Sequence, residues 1–588
     1  MSNYDYIVIG VYLVFMLALG PIYKSFSKTA SDFFRGGGGM LWWVVGASAF
    51  MTQFSAWSFT GGAAKAYETG TFFLILFACN AVSALVTLFF TAHRFRQMRV
   101  ITAVEAVRNR FGNASEQIFT WLPMLFTILF GGVSLYTISV FMSGVFGANM
   151  MLIILVLGTV MIVMTLLGGS WAATAGDFVQ MLVVLTITVI MASLTLGHEQ
   201  IGGISGLIEK MPTQHLDWTE FARPKVIVIF FVMLMINQVI SGNNMQAGAA
   251  RYLFVKDGKD ARKAAVVSVV GFLFLPVIWI IPAIGAAIIF PDLSASFPQL
   301  SNANEAAYVA IAMELLPPGL LGLLVCGIFA ASLTSMNSSL NSFSANFVRN
   351  FYIRVIDKQA SDEKQIFLGR IFILVYGVSW IIVAMLFTQI KELQLFDLIL
   401  IVAASIGLPA ALPLAYGMFI KKTPAWTGWS TMIIGFIVSV LDRFLLSKEW
   451  MQSIWGQVEP LTSRELADMN IALTTGTIFL ACTGWFFFTM LFHRYSGDAY
   501  KKQVDHFFTE MNTPINRAEE HEPDYENDQR QYSVLANLCL AYGVLTLLLL
   551  AVPNDMKARM LILICGGMVV AVGLVLRSIG RRIAAKNR

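Results

Sequence analysis

"GIFAASLTSMNSSLNSFSANF", Gly327 to Phe347, is a run of hydroxyl and amide side chains entered directly from an apolar run, Gly319 to Ala330. Ala331, Thr334, Ser335, Ser338 and Ser342 follow steps of three, one, three and four, so on a helix they share one face. Everything around that face is built for lipid. The 588 residues are 57% hydrophobic and 13% charged, with a mean hydropathy of +0.70, whereas an ordinary globular chain has about 25% charged residues. About fifteen apolar stretches between residues 6 and 576 are long enough, at ~17 to 25 residues, to be transmembrane helices. The expected class is an all-α polytopic membrane protein.

Charge supports that reading. Lys and Arg gather in cytoplasmic loops of membrane proteins, and with the N-terminus outside, alternate loops collect 29 of the 40 basic residues. This orientation puts the C-terminus in the cytoplasm, and the expected location is the plasma (cell inner) membrane. The net charge of +5 is then a product of topology and does not point to nucleic acid. The first apolar run, Tyr6 to Tyr23, lacks a basic n-region and a small-residue cleavage site, which favours a retained helix. The five cysteines each stand alone in a span, so no disulfide framework or metal pair is expected. Phe95 to Gln117 is basic and weakly amphipathic and suits a short interfacial helix. The "GGGG" at 36–39 lacks the strand and Gly-Lys-Ser/Thr of a phosphate loop.

The expected organisation is an N-terminal extra helix and loop (1–39), two five-helix units (40–198 and 199–421) and two peripheral helices (422–495). A cytoplasmic linker (496–531) ending in "RAEEHEPDYENDQRQ" follows; it is too polar to bury a core and is expected to be solvated. A C-terminal helix pair with a basic tail (532–588) closes the chain.

Polar groups at membrane depth are expensive and tend to be functional. In "ASAFMTQFSAWSFTGGAAKAYETG", Ala47 to Gly70, the residues Ser55, Ser58, Thr60 and Gly61-Gly62 interrupt an apolar helix. A broken helix frees main-chain carbonyls that only a cavity or a bound cation can satisfy; a merely polar bundle helix is the alternative. Asp177, in "GGSWAATAGDFVQML", either reaches for water from a helix end or faces the bundle and needs a cation. The hydroxyl face of 331–342 serves either tight packing or ligation. Hydroxyls, freed carbonyls and one carboxylate are hard oxygen donors, and neutral oxygens suit a monovalent ion that is released each cycle, sodium best of all. Two five-helix units must be inverted relative to each other, and "NQVISGNNMQAG", Asn237 to Gly248, then occupies the place equivalent to the first interrupted segment.

Three stretches, "SDFFRGGGGMLWWVVGASAFMTQFSAW", "GGSWAATAGDFVQ" and "PDL...LLPPGLLGLLVCGIFAASLTSMNSSLNS", resemble the sodium/solute symporters over about residues 1 to 495. That resemblance implies a LeuT-type 5+5 inverted-repeat core with extra helices. It sets a Na+ site on the carbonyls of Met51, Phe54 and Ala331 and the hydroxyls of Thr334 and Ser335. Some family members have a second sodium site, whose positions match Asp177, Thr334, Asn337 and Ser338. Positions that contact sugar in sugar-transporting members are Ser58 here and approximately Leu76 and Phe272, so no substrate is carried over. By position, Trp57, Ser58, Thr60, Asn80 and Asn243 line the solute pocket. The expected function is Na+-coupled symport of a small polar organic solute (a sugar, sugar acid, amino acid or carboxylate) by alternating access. The expected partners are the solute and the lipid bilayer, with no nucleic acid and no obligatory protein partner. A non-transporting sensor or regulator on the same module is the alternative. An enzyme is not expected, because no His/Glu metal motif and no Ser/His/Asp set is present.

Overall fold

The computed structural model describes residues 2–24, 38–52, 56–220, 222–246, 248–297, 300, 302–389, 395–455, 460–515 and 525–586. Every named element among them is a helix, and the extended pairing is a single isolated bridge between Met40 and Val255. The principal helices are α1 (Asn3–Lys24), α2 (Trp42–Met51), α3 (Gly61–Thr69), α4 (Leu74–Val86), α5 (Asn113–Phe146), α6 (Met150–Leu196), α7 (Pro224–Gly242), α8 (Gly258–Ile289), α9 (Leu320–Asn346), α10 (Asp362–Phe387), α11 (Leu408–Tyr416), α12 (Thr427–Leu445), α13 (Ser463–Thr489), α14 (Tyr525–Leu547) and α15 (Met556–Lys586).

Twelve helical runs among the described residues are long and apolar enough to cross a membrane. The expected span 6–23 falls on α1 (Asn3–Lys24), 40–66 begins with the short apolar helix Trp42–Met51, and 149–168 falls within α6. The second is short because the chain leaves the helix after Met51. The third is not a separate element, since α6 is helical without interruption from Met150 to Leu196. Its Gly168-Gly169 pair weakens a helix by about 1 kcal/mol per glycine without stopping it.

α9 is the axis of the bundle. Its apolar window is 94% buried, against 22% for α7 and 28% for α10, which turn most of theirs outward. α6 packs along α9 and also meets α2, α8 and α10. α5 lies against α10 through Gly131 and Gly132, where a Cβ would overlap the Trp380 ring and the Val383 side chain. Tyr376 Oη and Thr127 Oγ1, 2.6 Å apart, add a polar tie to that apolar contact.

Residues 496–531 differ from expectation. Asp498–Asn512 is a helix, and Val504, Phe507 and Met511, spaced for one face, are buried against the helix Ala103–Phe111 and its surroundings. Composition averaged over the whole segment hid this short amphipathic stretch. Arg99 Nη1 donates to the carbonyl of Glu510 (3.0 Å), and Arg110, fully buried, donates to the carbonyls of Gly417 (3.0 Å) and Ile420 (2.6 Å) and to Thr423 Oγ1 (2.7 Å).

The C-terminal hairpin α14–α15 is stapled to the start of α2. Gln531 accepts from the Leu41 N–H (3.2 Å) and donates to the Gly39 carbonyl (3.0 Å), and Trp43 Nε1 donates to Tyr532 Oη (3.4 Å). Asp528 pairs with Lys256, next to the strand-like bridge in which Met40 N–H donates to Phe254 O (2.9 Å). At the other end, Asn554 donates to Pro318 O (3.0 Å), while Asp5 of α1 accepts from the N–H groups of Gly319 (2.7 Å) and Gly322 (2.9 Å) at the start of α9. Replacing buried Gln531 by Leu leaves one donor and one acceptor unmet, at about 1–3 kcal/mol each. The expected result is a lower melting temperature in detergent and faster proteolysis around residues 38–41, and an unchanged melting curve would show the staple to be idle.

The loop 198–223 carries a titratable contact. His215 is 1% exposed and packs where a Cβ on Gly70 would overlap it, and its carbonyl accepts from Thr71 Oγ1 (2.5 Å). Burial holds the imidazole below its ordinary pKa, against a smaller upward effect from the backbone of Glu68 and Tyr67. Because the folded value lies below the unfolded one, near 6.5, the unfolded chain binds the proton more tightly. Stability is therefore complete above about pH 6.5 and falls as the pH drops from there through the lowered folded value. Melting of the wild type should fall between pH 7 and 5 by more than that of His215→Gln; parallel curves would contradict this.

Candidate cation and solute site

The first helix break begins at Met51, the last residue of α2, whose carbonyl lies among the four that a helix end leaves without an intrahelical donor. Met51 is 1% exposed. Thr52 Oγ1 turns back to the Ala49 carbonyl (2.8 Å). The chain resumes as one turn, Ala56–Phe59, passes Thr60 in a non-helical conformation (φ −117°, ψ −93°) and enters α3. Phe54 and Ser55 lie outside the described residues.

α9 meets this break directly. The Ala56 N–H donates to Ser332 Oγ (2.8 Å), and Ser332 Oγ donates in turn to Ile328 O (2.9 Å). Ser335 Oγ donates to Ser332 O (2.9 Å) and Ser339 Oγ to Ser335 O (3.0 Å). A hydroxyl whose proton is committed to its own helix keeps its lone pairs for a cation. Ala331 and Thr334 sit in the same turns of α9; their side chains lie outside the description. Ser332 escaped the reading of the sequence because it lies one residue off the face chosen there.

A second polar cluster forms around Asp177 of α6, 1% exposed. Its Oδ2 accepts from Ser48 of α2 in a short hydrogen bond and lies 3.4 Å from Arg251 Nη2. The same guanidinium donates to Ser338 Oγ on α9 (2.6 Å) and to Thr174 Oγ1 on α6 (3.4 Å). Asn337 Oδ1 accepts from Thr165 Oγ1 (2.5 Å). So Asp177 faces the bundle and has a cation beside it, and that cation is an arginine from the turn Ala249–Tyr252 after the second break. One helical turn beyond Asn337, Asn341 is 1% exposed, and neither its amide N nor its O meets a partner among the described residues.

The second break follows α7 at Asn243, as the placement of "NQVISGNNMQAG" led us to expect. Asn243 itself is fully engaged. Its Nδ2 donates to Ser83 O (3.1 Å) and Val239 O (2.9 Å), and its Oδ1 accepts from Thr87 (3.0 Å) and Thr91 (2.7 Å). It pins the break to α4 and the turn that follows, which leaves its amide little capacity for a solute. Asn80 Oδ1 accepts from Gln238 Nε2 (2.7 Å), a half-buried pair between α4 and α7. Ser58 is wholly buried, and its Oγ has no partner among the described residues. Thr60 Oγ1 donates to Ala56 O (3.0 Å). Trp57 is half-buried, its ring 6.2 Å from that of Phe73. Behind them stands a packed aromatic group: Phe59 and Tyr308 edge to face at 4.9 Å, Trp279 stacked on Tyr308 at 6.3 Å, and Phe73 at 5.5 Å from Trp279. These rings come from four separate elements, so no local sequence pattern joins them.

Two interrupted helices, each packed on hydroxyl-bearing neighbours inside an all-helical membrane bundle, define a secondary transporter of the LeuT-type architecture. The family model described as "Sodium:solute symporter family" matches residues 33–435, and the chain belongs to that family. It is a transporter that couples a solute to sodium, not an enzyme. Similar proteins include the sodium/sialic acid symporter of Proteus mirabilis (strain HI4320), 26% identical over 449 residues that cover 74% of this chain and 88% of that protein. The sodium/myo-inositol cotransporter 2 of Homo sapiens is 26% identical over 485 residues, covering 74% and 70%. Among solved structures, a substrate-bound, outward-open sodium-coupled sialic acid symporter aligns with a TM-score of 0.64 and 20% identity over 82% of this chain and 98% of that one. At that identity the likeness establishes the shared fold. The helix Asp498–Asn512 and the hairpin α14–α15 lie beyond the matched segment.

Proposed function

We propose that this chain carries a small polar solute of the sugar, polyol or sugar-acid type into the cell, driven by sodium held between the first helix break and α9. The observation that carries the reading is the bond from Ala56 N–H to Ser332 Oγ, which sets the turn after the first break against α9, beside its hydroxyl face. The ion's ligands in this reading are the carbonyls of Met51, Phe54 and Ala331 and the hydroxyls of Thr334 and Ser335. An ion there joins the two helices; its loss to the cytoplasm lets them separate, and the site alternates between the two sides of the membrane. Moving one charge through 100 mV supplies about 2.3 kcal/mol, more than a tenfold accumulation, before the concentration gradient is added.

The solute rests against Trp57, Ser58 and Thr60, with the Asn80–Gln238 pair at its edge. A buried hydroxyl without a partner costs about 1–3 kcal/mol, and a solute oxygen at Ser58 Oγ would recover that. Aromatic walls with few polar groups suit a ring whose faces are apolar and whose rim is hydroxylated. The relatives named above are a sodium/sialic acid symporter and a sodium/myo-inositol cotransporter, which supports a sugar-like solute here. The protein sits in the plasma membrane with its N-terminus outside and its basic C-terminal tail in the cytoplasm.

The test is uptake by proteoliposomes across a panel of sugars, inositols, uronates, sialic acids and amino acids, with and without an inward sodium gradient. At least one sugar-like solute should accumulate only with the gradient. Equal uptake in potassium, or accumulation of amino acids alone, would refute the corresponding half of the reading. Ser58→Ala should raise the KM of that solute about tenfold while leaving sodium affinity nearly unchanged.

A further inference from the structure

The residues that match a second sodium site do not fit one here: we infer that Arg251 stands in its place as a built-in cation, so that a single sodium ion binds and drives each cycle. This rests on the sodium reading proposed above and concerns the number of ions. Four groups would have to turn oxygens toward the second ion, and three of them already serve donors of the protein itself. Asp177 Oδ2 takes the Ser48 hydroxyl and faces Arg251. Ser338 Oγ receives Arg251 Nη2 at 2.6 Å. Asn337 Oδ1 receives Thr165 Oγ1 at 2.5 Å. The fourth, Thr334, is shared with the first site.

Charge decides against adding an ion. Arginine cannot be deprotonated in a protein, so Asp177 and Arg251, with side chains 1% and 11% exposed, form a neutral buried pair. A sodium ion entering beside them would leave one uncompensated positive charge in a low-dielectric interior, and its attraction to the carboxylate would be cancelled by repulsion from the guanidinium. An arginine also cannot leave, whereas a coupling ion must.

The position of the pair gives it a use beyond occupying space. Ser48 belongs to α2, the segment before the first break; Arg251 belongs to the turn after the second break; Ser338 belongs to α9. The carboxylate thus ties the two interrupted helices to α6, the guanidinium ties the second of them to the central helix α9, and these segments cannot part without exposing a charge. Arg251 is a positioning residue in this sense.

The test counts sodium on purified full-length protein in detergent, using radiolabelled sodium at constant ionic strength and a sodium-specific shift in melting temperature as a second readout. The wild type should bind about one ion per chain, and Arg251→Gln, which leaves Asp177 facing open oxygens, about two. Arg251→Lys should stay at about one, and the double variant Arg251→Gln/Asp177→Asn, which removes both charges and avoids an unpaired one, should return to about one. If the wild type binds about two ions and the double variant one, Asp177 ligates sodium with Arg251 present and the inference is overturned. It is equally overturned if Arg251→Gln folds and still binds one. A wild type that binds no sodium sinks the first-site reading instead.

Discussion

Alanine at both Thr334 and Ser335 is expected to raise the half-saturating sodium concentration for uptake by about 100-fold or more, with the maximal rate recovered only at very high sodium. Each substitution removes one oxygen from the cation in the proposed site, and contacts to a charged group are worth about 1.5–3 kcal/mol apiece. Every 1.4 kcal/mol is tenfold in affinity. Ser335→Thr keeps the hydroxyl and should cost far less. Binding of the solute at saturating sodium should change little, which separates loss of a ligand from loss of the fold. A double variant with wild-type sodium dependence would remove α9 from the ion site.

Asp177→Asn should be among the most destabilising single changes in the protein, by about 3–5 kcal/mol, because it leaves the Arg251 guanidinium buried without its counter-charge. Replacing both members together, with Arg251→Gln added, should recover most of that loss. Melting temperatures of the wild type, both single variants and the double variant form a cycle whose interaction energy isolates the pair. Additive effects would mean that the two charges do not depend on each other. Activity alone would not separate this from a transport defect, so the stability cycle is the decisive measurement.

Much of the architecture was legible without coordinates. Hydropathy marks helices because lipid forces every backbone polar group to be satisfied within its own segment, and twelve long apolar runs are found. The regions of the breaks were also legible, since Thr60 and "SGNN" fall on them, but Gly61-Gly62, read as part of the interruption, open the helix α3: a glycine weakens a helix without stopping it. The end of α6's first apolar stretch was not, because two spans joined by glycines have the same hydropathy whether the helix continues or stops. The helix Asp498–Asn512 was missed for a related reason: three buried side chains are too few to lift the average of a polar segment.

Site residues divide in the same way. Asn243 reads as a solute ligand by position, yet four neighbouring groups, on residues as distant as Ser83 and Thr91, absorb its amide. The aromatic wall of Phe59, Phe73, Trp279 and Tyr308 comes from parts of the chain that become neighbours only once the helices pack.

From residue order alone come the membrane bundle, its alternation of charge, the two weak points in its helices and the hydroxyl stripe of Ala331 to Ser342, because each depends on interactions within a few turns of one segment. That a carboxylate at 177 needs a cation is also a local fact, a matter of solvation. Which cation answers it was decided only when three helices and the turn carrying Arg251 were brought together. Arg251 lies 74 residues away in the chain, and no rule of spacing brings it to Asp177; only the packing of the helices does.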